Sequence, residues 1–396
     1  MIDKELSKNA TFEDGILLKS IHPLGIKLLS YVGDKWRLNK IPLLGTIISD
    51  QNFISEVLLD KESFAEDNNV SNNFWGSLAK EQIPDFIEDE NSNPQRILSS
   101  HIPKEKIALI TETVISSILD EAVTKIEEGQ PVNMVEVMEK ISYLSMWHVV
   151  GLSPEKLKEI DTELAMRTLR SVTKESNLAI KKASSKINDS NHAKLNFLQE
   201  LIREAYNNPE RESIPRFLKD KGYSEETATS ITTSLFLSGM HKAVSYGPRI
   251  IALLLKTGYL NYVTENRDTL TTGIREAMRV ITPSPVLLFK TVRDIDFHGV
   301  SLKKDANVVL SVFGASKRLG DFDPFKQSNE YLQQLWDDTA GSKQFSTIFG
   351  LVQAEVIGKF LAKINSTNAL SVISQESDDR GNSGRYKKLL IGHTLD

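Results

Sequence analysis

Apolar residues recur along this chain at two different spacings, and the change from one to the other marks out its elements. In Arg37–Asp50, RLNKIPLLGTIISD, short apolar runs flank a glycine, a pattern that predicts strand, turn, strand. Asn52–Asp60, NFISEVLLD, moves to helical spacing, with Phe53, Val57 and Leu58 expected on one face. From Pro103 to about Lys242 the helical period dominates. KIALITETVISSILDEAVTKI, MVEVMEKISYLSMWHVVG and AKLNFLQELIREAY each place apolar residues at i, i+3, i+4 and i+7. Gly151 is placed to end one of these helices, and Ser153-Pro154 to start the next. Ser224 is placed as the N-cap of a long helix that runs through SEETATSITTSLFLSGM and beyond.

A further helix is predicted over TLTTGIREAMRVITPS. After Pro283 the pattern becomes strand-like in VLLFKTVRDIDFHGVSLKKDANVVLSVFGA, with a turn at His298-Gly299. IFGLVQAEVIGKFLAKI fits a last long helix, and YKKLLIGHTLD reads as part of a hairpin. No repeat stands out. Helices between small groups of strands predict one predominantly helical domain with small β-sheets, not a doubly wound α/β fold.

Composition changes this picture in one respect. The 396 residues are 40% hydrophobic and 26% charged, which is ordinary globular composition. The formal net charge of -5 argues against a general nucleic-acid binder. No run of 18 apolar residues predicts a membrane span, and the polar start MIDKELSKNATFEDG does not read as a signal peptide, so a cytoplasmic location is expected. The sequence contains no cysteine. Disulfides, zinc–thiolate and iron–sulfur sites, thiol catalysis and thiolate-ligated haem are thereby excluded.

Candidate chemistry is sparse. The apolar stretch LFLSGMHKAVSYG, Leu235–Gly247, carries Gly239 followed by His241 and Lys242. These two side chains either reach solvent, with their stems along apolar surface, or project into an internal space. In the second case, together with Lys290, they would suit an anionic group. Pro248 is expected to kink the same helix. Glu276 and Arg279, at i, i+3, read as a structural ion pair. The acidic run Asp85, Glu88, Asp89, Glu90 reads as a solvated loop whose spacing matches no metal motif, and no metal is expected. GxSxG, HExxH and phosphate-binding or dinucleotide-binding glycine motifs do not occur.

The order of these segments resembles that of the bacterial, soluble cytochrome P-450 proteins, from about Trp36 to the C-terminus. WRLNKIPLLGTIISDQNFISEVLLDKESF is similar to their N-terminal sheet and following helix, and SEETATSITTSLFLSGMHKAVS to their long central helix. IREAMRVITPSPVLLFKTVRDIDFHGVSLKKDANVVLSVFGASKRLGDFDPF is similar to the Glu-x-x-Arg helix, the next sheet and the start of the meander. GLVQAEVIGKFLAKI is similar to the helix after the haem loop. The resemblance implies a single-domain cytochrome P-450 fold over residues 36–396, preceded by an N-terminal extension of residues 1–35.

Its departures from the family pattern all fall on haem functions. The family's loop Phe-Gly-x-Gly-x-His-x-Cys-x-Gly lies over Gly341–Gly350, where Ile348 takes the place of the axial cysteine and Ser346 that of the histidine. The central helix lacks the family's acid–alcohol pair, and His241 and Lys242 stand there instead, just after Gly239. Asn91 and Gln95 occupy the positions of the propionate-binding His-x-x-x-Arg. Lys290 and Lys326 replace arginines of the following sheet and the meander, which bears on the Glu276–Arg279 pairing as well. Thiolate donation drives O–O cleavage in this chemistry. The resemblance therefore implies a haem-free homologue that is not a monooxygenase and has no cofactor.

Two classes of function follow. Haem-free relatives in this family bind and activate glycosyltransferases in natural-product pathways, which implies an auxiliary protein for a partner biosynthetic enzyme. The alternative is a haem-independent cyclase, isomerase or lyase that encloses a hydrophobic small molecule and uses His241 and Lys242 as its acid–base groups.

Overall fold

The structure, a computed structural model, describes residues 35–41, 45–66, 111–169, 189–208, 213–259, 262, 266, 269–281, 286–325, 371–377 and 386–392. The side chains of residues 238–246 lie outside this description. So do the loops and helices expected over 67–110 and 326–370, and residues 1–34 of the expected N-terminal extension.

In chain order the elements are β1 (Leu38–Ile41), β2 (Gly45–Ile48), α1 (Gln51–Leu59), β3 (Phe64–Glu66), α2 (Ser116–Glu127), β4 (Val132–Asn133), α3 (Met134–Val150), α4 (Pro154–Glu159), α5 (Asp189–Asn207), α6 (Ile214–Asp220) and α7 (Glu225–Lys256). There follow α8 (Leu270–Ile281), β5 (Leu287–Thr291), β6 (Ile295–Phe297), β7 (Val300–Leu302), β8 (Asn307–Leu310), α9 (Val312–Arg318), β9 (Ser371–Ser377) and β10 (Tyr386–Gly392). They group into two compact units, each discontinuous in sequence, and the division within α7 falls between Pro248 and Arg249.

The first unit holds a five-stranded sheet of order β1-β2-β8-β5-β3. Its one parallel pair, β2 with β8, sets Ile48 opposite Leu310, and the antiparallel β5–β8 pair sets Phe289 opposite Val308. Alternation along these strands sends Ile48, Phe289, Val308 and Leu310 to one face. There they join Ile54, Val57 and Leu58 of α1 and Phe297 and Leu302 of the β6–β7 hairpin in one core cluster. Ile54, not Phe53, completes the buried stripe of α1. Phe53 is half-buried and turns toward the hairpin. Asp50 caps α1, its carboxylate accepting from the Asn52 and Phe53 amides at 3.0 and 3.4 Å. Gly45 opens β2 at φ +94°, and a Cβ there would stand 2.3 Å from the Asn307 carbonyl oxygen. Only glycine accepts both the backbone and the approach.

Among its described residues the second unit is helical apart from β4 and parts of β9 and β10, which form a small sheet of order β4-β10-β9. Its α3 is apolar on nearly every side and buried along most of its length, as a helix of the interior must be. Gly151 ends it in the left-handed conformation at φ +78°, and Pro154 begins α4 at its first turn. Tyr143 and Trp147 of α3 both pack against Phe236 of α7, with ring centroids 6.0 and 6.4 Å away and steep interplanar angles. Ser224 Oγ accepts from the Thr227 amide at 3.2 Å and so caps α7. That helix continues unbroken through Gly239 and through Pro248.

Candidate functional site

The best-defined polar centre is on α8. Glu276 and Arg279 are one helical turn apart, their side chains 3% and 2% exposed, with Nη2 and Nε of the arginine 2.5 and 2.9 Å from the two carboxylate oxygens. The rest of the guanidinium fork is taken up by backbone. Nη1 donates to the carbonyls of Ser316 at 2.6 Å and Gly320 at 3.0 Å, and Nη2 to that of Asp321 at 2.8 Å. All five N–H groups thus meet an acceptor, which is the condition for burying a guanidinium. Glu276 also accepts from the Asp323 amide at 2.9 Å. The pair joins α8 to the end of α9 and to the turn after it. The sequence suggested that replacing an arginine by Lys326 would bear on this pairing. The pair is fully formed without Lys326, which lies outside the described residues.

Two neighbours fix α8 in place. Buried Arg249 donates to the carbonyl of Ile281 at the helix C-terminus, at 3.1 Å. Tyr259 donates from its hydroxyl to Thr269 O at 3.0 Å and lays its ring on Gly273. Phe322 and Phe325 pack edge-on against the same ring at 5.9 and 5.8 Å.

The other residues singled out in the sequence fall as follows. Lys290 lies in β5, in register with Ala65 of β3 and Asn307 of β8. It is half-buried on the sheet face opposite to Phe289 and Thr291. Gly239, His241 and Lys242 lie within one turn of α7, and their side chains lie outside the described residues. Asn91, Gln95, Ser346, Ile348 and the Asp85–Glu90 run lie outside them as well. Among the described residues no cluster of three or more His, Asp or Glu side chains suits a metal, and no helix is long and apolar enough to cross a membrane.

Sequence reasoning missed one contact. His298, expected only as a turn residue, places Nε2 2.7 Å from Glu56 Oε2 on α1. Its sole sequence trace is the spacing of Phe53 and Glu56, three residues apart on one helix.

Comparison with known proteins places this geometry in a fold. No family model matches the sequence. A curated relative, the biotin biosynthesis cytochrome P450 of Bacillus subtilis (strain 168), is 25% identical over 183 residues. That match spans 45% of this chain and 44% of the relative, less than half of either. Solved structures agree over far more of the chain. P450BioI in complex with an acyl carrier protein ligated to hexadec-9Z-enoic acid superposes with a TM-score of 0.73 at 14% identity, covering 93% of this chain and 98% of that one. Epothilone D-bound cytochrome P450epoK gives 0.74 at 12% identity, covering 96% and 99%. The chain has the mainly helical cytochrome P450 fold with small sheets.

That fold family implies haem. Its axial ligand there is a cysteine thiolate, and none of the 396 residues is cysteine. The donor set does not fit thiolate-ligated haem.

Proposed function

We propose that this protein is a haem-free member of the P450-fold proteins that serves specialised, natural-product metabolism by binding and activating a partner biosynthetic enzyme such as a glycosyltransferase. One observation carries this reading. The buried Glu276–Arg279 clamp is complete, with every guanidinium hydrogen bound, in a chain without the sulfur that thiolate-haem oxygen chemistry requires. An architecture kept without that chemistry suits a protein whose product is a surface. P450BioI, solved with an acyl carrier protein, supports the idea that this fold can seat another protein. A hydrophobic small molecule is the ligand such a scaffold would enclose.

Adding the purified chain to a candidate glycosyltransferase is expected to raise its turnover, and a His241→Ala, Lys242→Ala double variant is expected to do so equally. Conversion of a substrate by the isolated chain, lost in that double variant, would instead establish the haem-independent cyclase, isomerase or lyase.

A further inference from the structure

We draw no further inference here: the strongest candidate, the face of the five-stranded sheet where exposed Leu288 and half-buried Lys290 of β5 lie beside Val309 of β8 and Ile47 of β2, carries nothing, because nothing among the described residues shows what covers it.

Discussion

Gly273 lies directly beneath the ring of Tyr259: a Cβ built on the glycine would stand 2.0 Å from the tyrosine Cε1. Glycine in a helix interior ordinarily costs stability relative to alanine, so a Gly→Ala change at an open helical position is favourable. Here the ring is buried and held by its hydroxyl on Thr269 and by Phe322 and Phe325, so a methyl group enters only by displacing it from these contacts. Gly273→Ala is expected to destabilise the fold by about 1–3 kcal/mol, the usual cost of overpacking. Urea unfolding of the two proteins checks it. An unchanged or raised midpoint would mean that the ring moves aside.

Arg279 answers to the same helix. Glu276→Ala leaves a buried guanidinium without its counter-charge, and Arg279→Ala leaves a buried carboxylate without its counter-charge and takes a donor from each of three backbone carbonyls. Each change is expected to cost about 3–5 kcal/mol. Arg279→Lys should recover little of it, because one ammonium cannot supply a five-donor planar fork. Thermal unfolding of the three variants, ranked against the wild type, is the measurement.

Tyr143 makes the opposite prediction. Its hydroxyl is buried with no hydrogen-bond partner among the described residues, and burial weakens the acidity of the phenol well beyond its ordinary value. An unsatisfied buried hydroxyl costs about 1–3 kcal/mol. Tyr143→Phe keeps the aromatic packing on Trp147 and Phe236 and removes that cost. The variant is expected to be at least as stable as the wild type, by denaturant titration, and a clear loss of stability would refute this.

Glu121 receives hydrogen bonds from Lys125 on its own helix, at 2.8 Å, and from Lys140 on α3, at 3.3 Å. The Lys125 contact, then the Lys140 contact, holds its carboxyl below the usual carboxylate range. A depressed folded value contributes stability that is present above the ordinary value and is lost as pH falls through the folded one. An NMR titration is expected to show Glu121 titrating at lower pH than a free glutamate. Lys140→Met is expected to move its midpoint upward, and an unmoved midpoint would show that Lys140 does not reach it.

Much of this fold was legible because its signals are local. The spacing of MVEVMEKISYLSMWHVVG, the glycine at 151 and the proline at 154 specify α3 and its end within a single stretch of chain. The turn at His298-Gly299 was legible for the same reason. What the spacing cannot carry is pairing at long range. The parallel contact of β2 with β8 joins segments some two hundred and sixty residues apart, and no residue in either strand names its partner. Phe53 was assigned to the buried stripe because its spacing allows it, but the remote hairpin claims it. The Glu-x-x-Arg spacing announced an ion pair. The backbone carbonyls that complete it, 37 to 42 residues onward, carry no side-chain signature.

A chain with the P450 fold and no cysteine should not hold thiolate-ligated haem, and spectroscopy addresses that directly. The full chain is expressed with a haem precursor supplied in excess, purified, and examined by its absorbance and its reduced carbon monoxide difference spectrum. The account predicts at most substoichiometric haem and no thiolate-type carbonyl band. A stoichiometric Soret band that persists through purification, with substrate turnover proportional to it, would contradict the account.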